Sequence, residues 1–382
     1  MNKQRVLIIS PDSKHFVREH IENALLEPKY EVTFFTITKN PLDEEFYHSH
    51  SVVTRSVKKD NRSLYVNGGQ VLNSWLWLLK NMNSFDVIHI HFVDVRFLAF
   101  CKCILRSKAK IVMTYWGSDL LRSSERERTK MIPWIEKAYK INFNDLNSKN
   151  YFVSKFTSKY NEKLYVIDFG NSLIEIIDEE ERKIGKAEAK RKFGFPLDKL
   201  VVHIGYNGSD AQQHVEILKS FVGLSDNIKD RLYIVIPFAY GIGGDNYTAE
   251  EYTNIVSEYA SKTGIQYLIS KDYLHTAELA DFRLTADIFV YGQTTDAMSA
   301  TIVETVYAGG EFIKPAWLDY SELENVGVNL YEYKEFSEIP GIIEKLLNNH
   351  VGMASNHEKN KEAIKSIKSW EILAPQWRSM YE

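Results

Sequence analysis

Apolar runs of strand length alternate along this chain with stretches whose apolar residues recur at helical spacing. RVLIIS (5–10) precedes HFVREHIENALL, and YEVTFFTI (30–37), FDVIHIHF (85–92) and KAKIVMTYW (108–116) follow. VLNSWLWLLKNM and VRFLAFCKCILRS, lying between them, have the three-and-four spacing of amphipathic helices. Strands in alternation with helices predict βαβ units and a parallel, doubly wound sheet. The pattern restarts near residue 195, where LVVHIG (200–205), RLYIVIPF (231–238), IQYLIS (265–270), ADIFVYG (286–292) and GEFIKP (310–315) read as strands. Helical stretches such as HVEILKSFVGL separate them.

The expected fold class is therefore α/β, with two doubly wound Rossmann-like domains facing a cleft. IDEEERKIGKAEAKRKFGFP is charged, helix-prone and poor in large apolar residues, so a boundary is placed around 170–195. This gives a first domain over 1–175 and a second over 195–365, with a C-terminal helix over 366–382 expected to pack back on the first. Ligands of such sheets bind outside the carboxyl ends of the strands, which directs attention to the loops after each strand.

Composition narrows the function classes. With 382 residues, 44% hydrophobic and 26% charged, the chain suits two soluble domains of ordinary size. A net charge of −4 offers no basic field for nucleic acid. Cys101 and Cys103 lie too close for a usual zinc or disulfide framework and are expected to be reduced and buried. The start, MNKQRVLIISPDS, has too short an apolar run for a secretory leader, and no apolar stretch reaches membrane-spanning length. A cytoplasmic protein is expected, touching a membrane at most from the inner face.

The loop TTDAMSATIVETVYAGG (294–310) carries the clearest chemistry. A helix start exposes unpaired N–H groups and a partial positive charge, which suits phosphate. Ser299, Ala300 and Thr301 are small enough to admit a diphosphate. Glu304, further along the helix, could accept hydrogen bonds from the paired hydroxyls of a ribose, and Asp296 from those of a sugar. Gly309 and Gly310 end the helix as a cap would. The pattern fits a nucleoside-diphosphate sugar lying across the helix start, although any strand–loop–helix unit can carry an acid in its loop and a solvated glutamate.

ADIFVYGQTTDAMSATIVETVYAGGEFI resembles the donor-site segment of glycosyltransferases of the GT-B fold. In that segment an acid, seven intervening residues and a helical Glu precede a small-Gly pair and a strand. The resemblance implies a retaining-type nucleotide-sugar donor site, with Asp296 addressing the donor sugar and Glu304 the ribose; Asp296 departs from the family's usual Glu. FDVIHIHF with IVMTYWGSDLLR is similar to the acceptor-side segments, through Gly117, Ser118, Asp119 and Leu120, but Trp116 stands where many members have His. A narrower resemblance, to bacterial transferases of 4-acetamido-4,6-dideoxygalactose, runs through Gly205, Asn207, His214, Pro237, Tyr240 and Gly241.

YNGSDAQQH lacks the Arg and Lys that many retaining members place there. The departing diphosphate would then meet backbone N–H groups near Gly208, Ser299 and Ala300, together with Asn207 and His214. As the residue opening a helix, His214 reads first as a packing or capping residue. No metal and no other cofactor is expected, since no acidic pair sits at a strand end. If the reaction inverts, Asp119 is the first candidate base, with His91 or Asp94 behind it. Asp119 reads equally as a helix cap, and alternation in HIHF would put one of His89 and His91 into the sheet packing. Asp12 and His15 could also line the cleft. NSWLWLLKNM near Lys58, Lys59 and Arg62, and RSSERERTKMIPWIEKAYK, combine basic and aromatic residues as a membrane surface would, though solvated core helices explain them as well. The function expected is transfer of a sugar from a nucleoside diphosphate to a saccharide or lipid-linked saccharide in bacterial surface polysaccharide synthesis. A UDP-sugar epimerase and a non-catalytic partner subunit are the alternatives.

Overall fold

A computed structural model describes residues 3–10, 15–36, 46–47, 50, 52–56, 64–244, 246–296, 298–348 and 350–382. Asp12, Lys58, Lys59 and Arg62 lie outside the described residues, as does the side chain of His15. The chain forms two compact units, Met1–Gly170 with Trp370–Glu382, and Asn171–Ser369. The seven-stranded parallel sheet of the first runs in the order β3-β2-β1-β4-β5-β6-β7. Its strands are β1 Gln4–Ser10, β2 Tyr30–Thr36, β3 Val53–Ser56, β4 Val87–His91, β5 Lys110–Tyr115, β6 Lys140–Phe143 and β7 Leu164–Val166.

Side chains alternate across this sheet because a strand has period two. Leu7 and Ile9 of β1 join Ile88, Ile90 and Met113 in one apolar layer, while Val6 and Ile8 join Phe34, Val87 and Val112 in the other. His89 and His91 are two apart and therefore share a face. Both are fully buried, so the expectation that only one packs inside is corrected.

The segment Trp370–Glu382 belongs to the second of these layers. Trp377 has no exposed surface, and its indole N–H donates to the Asp168 carbonyl at 2.9 Å. Trp370 lies over Gly170, where an added Cβ would collide with the indole ring, so no larger residue fits. Cys101 and Cys103 are free and buried, and burial raises both thiol pKa values.

The second unit has a six-stranded parallel sheet in the order β10-β9-β8-β11-β12-β13. Here β8 is Leu200–Ile204, β9 Leu232–Pro237, β10 Gln266–Ser270, β11 Ile288–Val290, β12 Glu311–Pro315 and β13 Leu330–Tyr333. The charged stretch after residue 170 is part of this unit, as helices Leu173–Lys183 and Gly185–Lys192. Ile174, Ile177 and Ala189 enter the core with Val303 and Tyr307. The lysines of the second helix are anchored as well: Lys190 and Lys186 reach the buried Asp287 carboxylate at 2.6 and 3.1 Å. Burial alone would raise the Asp287 pKa, but the two ammonium groups overcome it and leave the pKa below the usual range. No helix among the described residues is long and apolar enough to cross a membrane.

Candidate functional site

In the second sheet the strand order reverses between β8 and β11, which pair side by side through Ile204 and Val290. A crevice opens outside the strand ends at such a switch point. The loops leaving these two strands carry the candidate donor residues other than Tyr240, which follows β9.

Gly205 continues β8 with its amide donating to the Val290 carbonyl at 3.0 Å. Its φ of +65° lies in the left-handed region, and a Cβ there would fall 2.8 Å from His214 Nε2 and 3.0 Å from Gln212 Oε1. Conformation and space both demand glycine. Asn207 Oδ1 accepts from Ser209 N at 3.0 Å, folding the turn on itself. The Gly208 amide donates to the Tyr240 carbonyl at 2.9 Å, and a Cβ at Gly208 would meet Ile242 at 2.7 Å. That amide is spent inside the fold and does not face a leaving group, which corrects the expectation for Gly208. Tyr240 itself is 48% exposed and presents its ring beside Tyr273.

His214 opens the helix His214–Phe221, is fully buried, and shares a hydrogen bond of 3.1 Å between Nδ1 and the Tyr252 hydroxyl. Burial lowers its pKa to about 3, so it is neutral at physiological pH. It supports the Gly205 turn and brings no positive charge to a diphosphate.

Beyond β11, Asp296 Oδ2 accepts from the Ser299 amide at 3.0 Å and from the Tyr320 hydroxyl at 2.9 Å. Asp296 thus ties the preceding loop to the N-cap residue of the helix Ala300–Tyr307, whose own side chain makes no cap hydrogen bond. Met298 takes φ +53°, a strained conformation just before the helix. With the Ser299 amide used by Asp296, the amides of Ala300 and Thr301 remain as first-turn donors that helix geometry leaves without an intrahelical acceptor.

Glu304 is only 7% exposed and is not a solvated helix residue. Arg283 Nε reaches Glu304 Oε2 at 2.9 Å, and Asn171 Nδ2 reaches Oε1 at 3.1 Å. The same guanidinium donates from Nη2 to Thr301 Oγ1 at 3.1 Å. Each carboxylate oxygen retains capacity for a second donor, as an ionised carboxylate has about four lone-pair positions. Arg283 and Asn171 were missed from sequence. Arg283 lies in the last turn of the helix Thr276–Leu284 that precedes β11, not in the turn after β8, which has neither Arg nor Lys.

The acceptor-side candidates sit in the first unit. Asp119 lies on the short helix Ser118–Leu121 after β5, following Gly117 at φ +101°. Its Oδ2 accepts from the Val93 amide at 2.7 Å and its Oδ1 from the Trp116 amide at 2.9 Å, joining the loops after β4 and β5. Burial pushes its pKa up to about 6 against the pull of these amides, so it is largely ionised at neutral pH. Asp94 caps the helix Val95–Phe100 and pairs with Arg96 at 2.7 Å. His91 is fully buried among His89, Trp116, Phe169 and Trp377, and burial holds its pKa far below the usual value. A ring enclosed in this way cannot take a proton from an acceptor hydroxyl, so the structure corrects that role.

Residues 5–155 match the family model described as glycosyl transferase 4-like. No curated protein sequence matches the chain. Among solved structures, a glycosyltransferase from Rickettsia africae is similar at TM-score 0.73 and 15% identity, over 100% of this chain and 98% of that one. Anabaena HepE, solved with UDP, is similar at TM-score 0.70 and 13% identity over 98% of each chain, and has also been solved with UDP-glucose. Sucrose-phosphate synthase from Thermosynechococcus elongatus is similar at TM-score 0.72 and 14% identity, over 99% of this chain and 98% of that one.

His203 on β8 is buried like His214, hydrogen-bonds Thr285 at 3.0 Å, and has its pKa lowered to about 3. The unfolded chain binds protons at these histidines below about pH 6.5, while the folded unit does so only near pH 3. Their effect on stability is therefore nil above pH 6.5 and grows more unfavourable as pH falls below it. By linkage each should cost on the order of 2 kcal/mol at pH 5. Urea unfolding at pH 7.5 and 5.0 checks this, and His203→Gln should flatten the pH slope by about one proton. An unchanged slope in that variant would contradict the assignment.

Proposed function

The chain carries a glycosyl transferase 4-like segment within the GT-B fold of glycosyltransferases, and on that premise we propose that its second unit binds a nucleoside-diphosphate sugar across the start of helix Ala300–Tyr307. The observation that carries this reading is the pairing of Glu304 with Arg283 in the first turns of a helix that begins at the strand-order switch. The paired hydroxyls of a ribose suit the remaining acceptor capacity of Glu304. The diphosphate suits the amides of Ala300 and Thr301 and the positive end of the helix dipole. Arg283 holds the carboxylate in place and brings to the site a cation that the turn after β8 lacks. Asp296 shapes the loop that a donor sugar would lie against.

The acceptor is proposed to be a saccharide, in bacterial surface polysaccharide synthesis. Support comes from the narrower resemblance through Gly205, Asn207, His214, Pro237, Tyr240 and Gly241. Asp119, ionised at neutral pH, is the base proposed if the reaction inverts. A lipid-linked form of the acceptor is favoured by the helix Leu64–Asn81, which exposes Val71, Leu72, Trp75 and Leu76 on one face.

Calorimetric titration of UDP, GDP, dTDP and CMP tests the donor site. One nucleotide should bind, and Glu304→Gln should weaken it by about 1.5–3 kcal/mol, roughly 10- to 150-fold. The variant's thermal midpoint is measured alongside, because the change leaves Arg283 buried without its counter-charge. A folded variant with unaltered affinity would sink the donor-site reading, and sugar interconversion without acceptor would favour an epimerase. The membrane contact has its own check in cosedimentation with phosphatidylglycerol vesicles. Wild-type chain should pellet and the double variant Leu72→Glu, Leu76→Glu should not; wild-type chain left in the supernatant refutes it.

A further inference from the structure

The first unit contains a group of three histidines that the proposed reaction does not use. His20 ends the helix His15–His20, and His89 and His91 stand on one face of β4. All three are fully buried, and one ring nitrogen from each lies within 4.8 Å of the others. An inventory of their nitrogens is informative. His89 Nε2 meets Thr114 Oγ1 at 2.7 Å, and its Nδ1 meets the Tyr381 hydroxyl at 2.8 Å. The same hydroxyl meets His20 Nε2 at 2.7 Å. His20 Nδ1 and both nitrogens of His91 have no hydrogen-bond partner among the described residues.

An unsatisfied polar atom inside a protein costs free energy, so buried groups of this kind ordinarily have partners. The two bare nitrogens of the fully buried His91 call for an occupant. A cation takes one nitrogen per ring, and beside the Tyr381 oxygen it would take His20 Nε2 and His89 Nδ1 with one of the His91 nitrogens.

We propose that His20, His89 and His91 bind one divalent cation of the zinc class, with the Tyr381 oxygen as fourth donor. Three imidazoles and one oxygen suit that class, which favours four-coordinate nitrogen and oxygen sets. Histidines two apart on a strand project side by side, as the 4.0 Å separation of the His89 and His91 ring centroids shows. Thr114 can accept from His89 Nε2–H, which fixes the tautomer that leaves Nδ1 for the metal. Metal–nitrogen bonds of about 2.0–2.1 Å require the rings to draw together on binding. Coordination displaces the Tyr381 hydroxyl proton to solvent, and the phenolate offsets one of the two positive charges. Trp116, Phe169 and Trp377 form an aromatic wall around the cluster. The cation would fasten the first helix, a central strand and the C-terminal segment of this unit. It takes no part in donor chemistry, but it departs from the expectation that the chain holds no metal.

The test uses the full chain with any affinity tag removed, stripped with chelator and dialysed against Zn(II) or Co(II). Elemental analysis should find about one equivalent per chain, with the visible absorption of tetrahedral Co(II). Thr114→Val should weaken binding about 10- to 100-fold. Tyr381→Phe, which preserves the packing, should lower affinity and abolish the proton released on binding. His91→Ala should lose the Co(II) bands. Failure of wild-type chain to retain stoichiometric metal overturns the proposal without recourse to any variant. So does a Co(II) spectrum that persists in His91→Ala, or a crystallographic water at hydrogen-bond distance from these nitrogens with no anomalous signal.

Discussion

The ion pair between Arg283 and Glu304 is the constraint on which the candidate donor site depends. Neither charge could be buried alone, because desolvation would cost several kcal/mol or force neutralisation. Paired at 2.9 Å, each supplies the other's counter-charge, and Asn171 and Thr301 satisfy further positions. Such a pair adds little net stability. What it contributes is a carboxylate already desolvated and held in one orientation, so that little ordering remains when a ribose arrives.

The surrounding backbone serves the same end. Gly205 is confined by φ +65° and by the nearness of His214 and Gln212, which brings the turn after β8 tightly against β11. Asp296 ties the loop after β11 to the start of the next helix and to Tyr320. Two loops on neighbouring strands at the switch point are thus held by short-range bonds, and the first-turn amides of the helix are left for a ligand.

Much of this architecture was legible in the sequence, because the central strands are continuous apolar runs and the helices between them have clear periodicity. Strands β3, β6, β7 and β13 were not, being only three or four residues long and carrying polar residues such as Arg55, Lys140 and Glu332. The stretch after residue 170 read as a linker by its charge. Its lysines are satisfied by Asp287, a partner about a hundred positions away that no local pattern reveals. The site divides similarly. Asp296, Ser299 and Glu304 were found from one contiguous motif, but Arg283 and Asn171 come from other elements, and only the folded chain brings them to Glu304. His91 shows the reverse limit, since a histidine at a strand end can be wholly enclosed by residues as remote as Trp377.

The most direct measurement is amide hydrogen exchange on the full chain, with and without whichever of UDP, GDP, dTDP or CMP binds it. Slowed exchange concentrated in residues 205–213 and 298–305 is the predicted result, because these loops and the helix start should close on the diphosphate and ribose. Protection confined to the first unit, or none with any of the four nucleotides, would contradict a donor site built around Arg283 and Glu304.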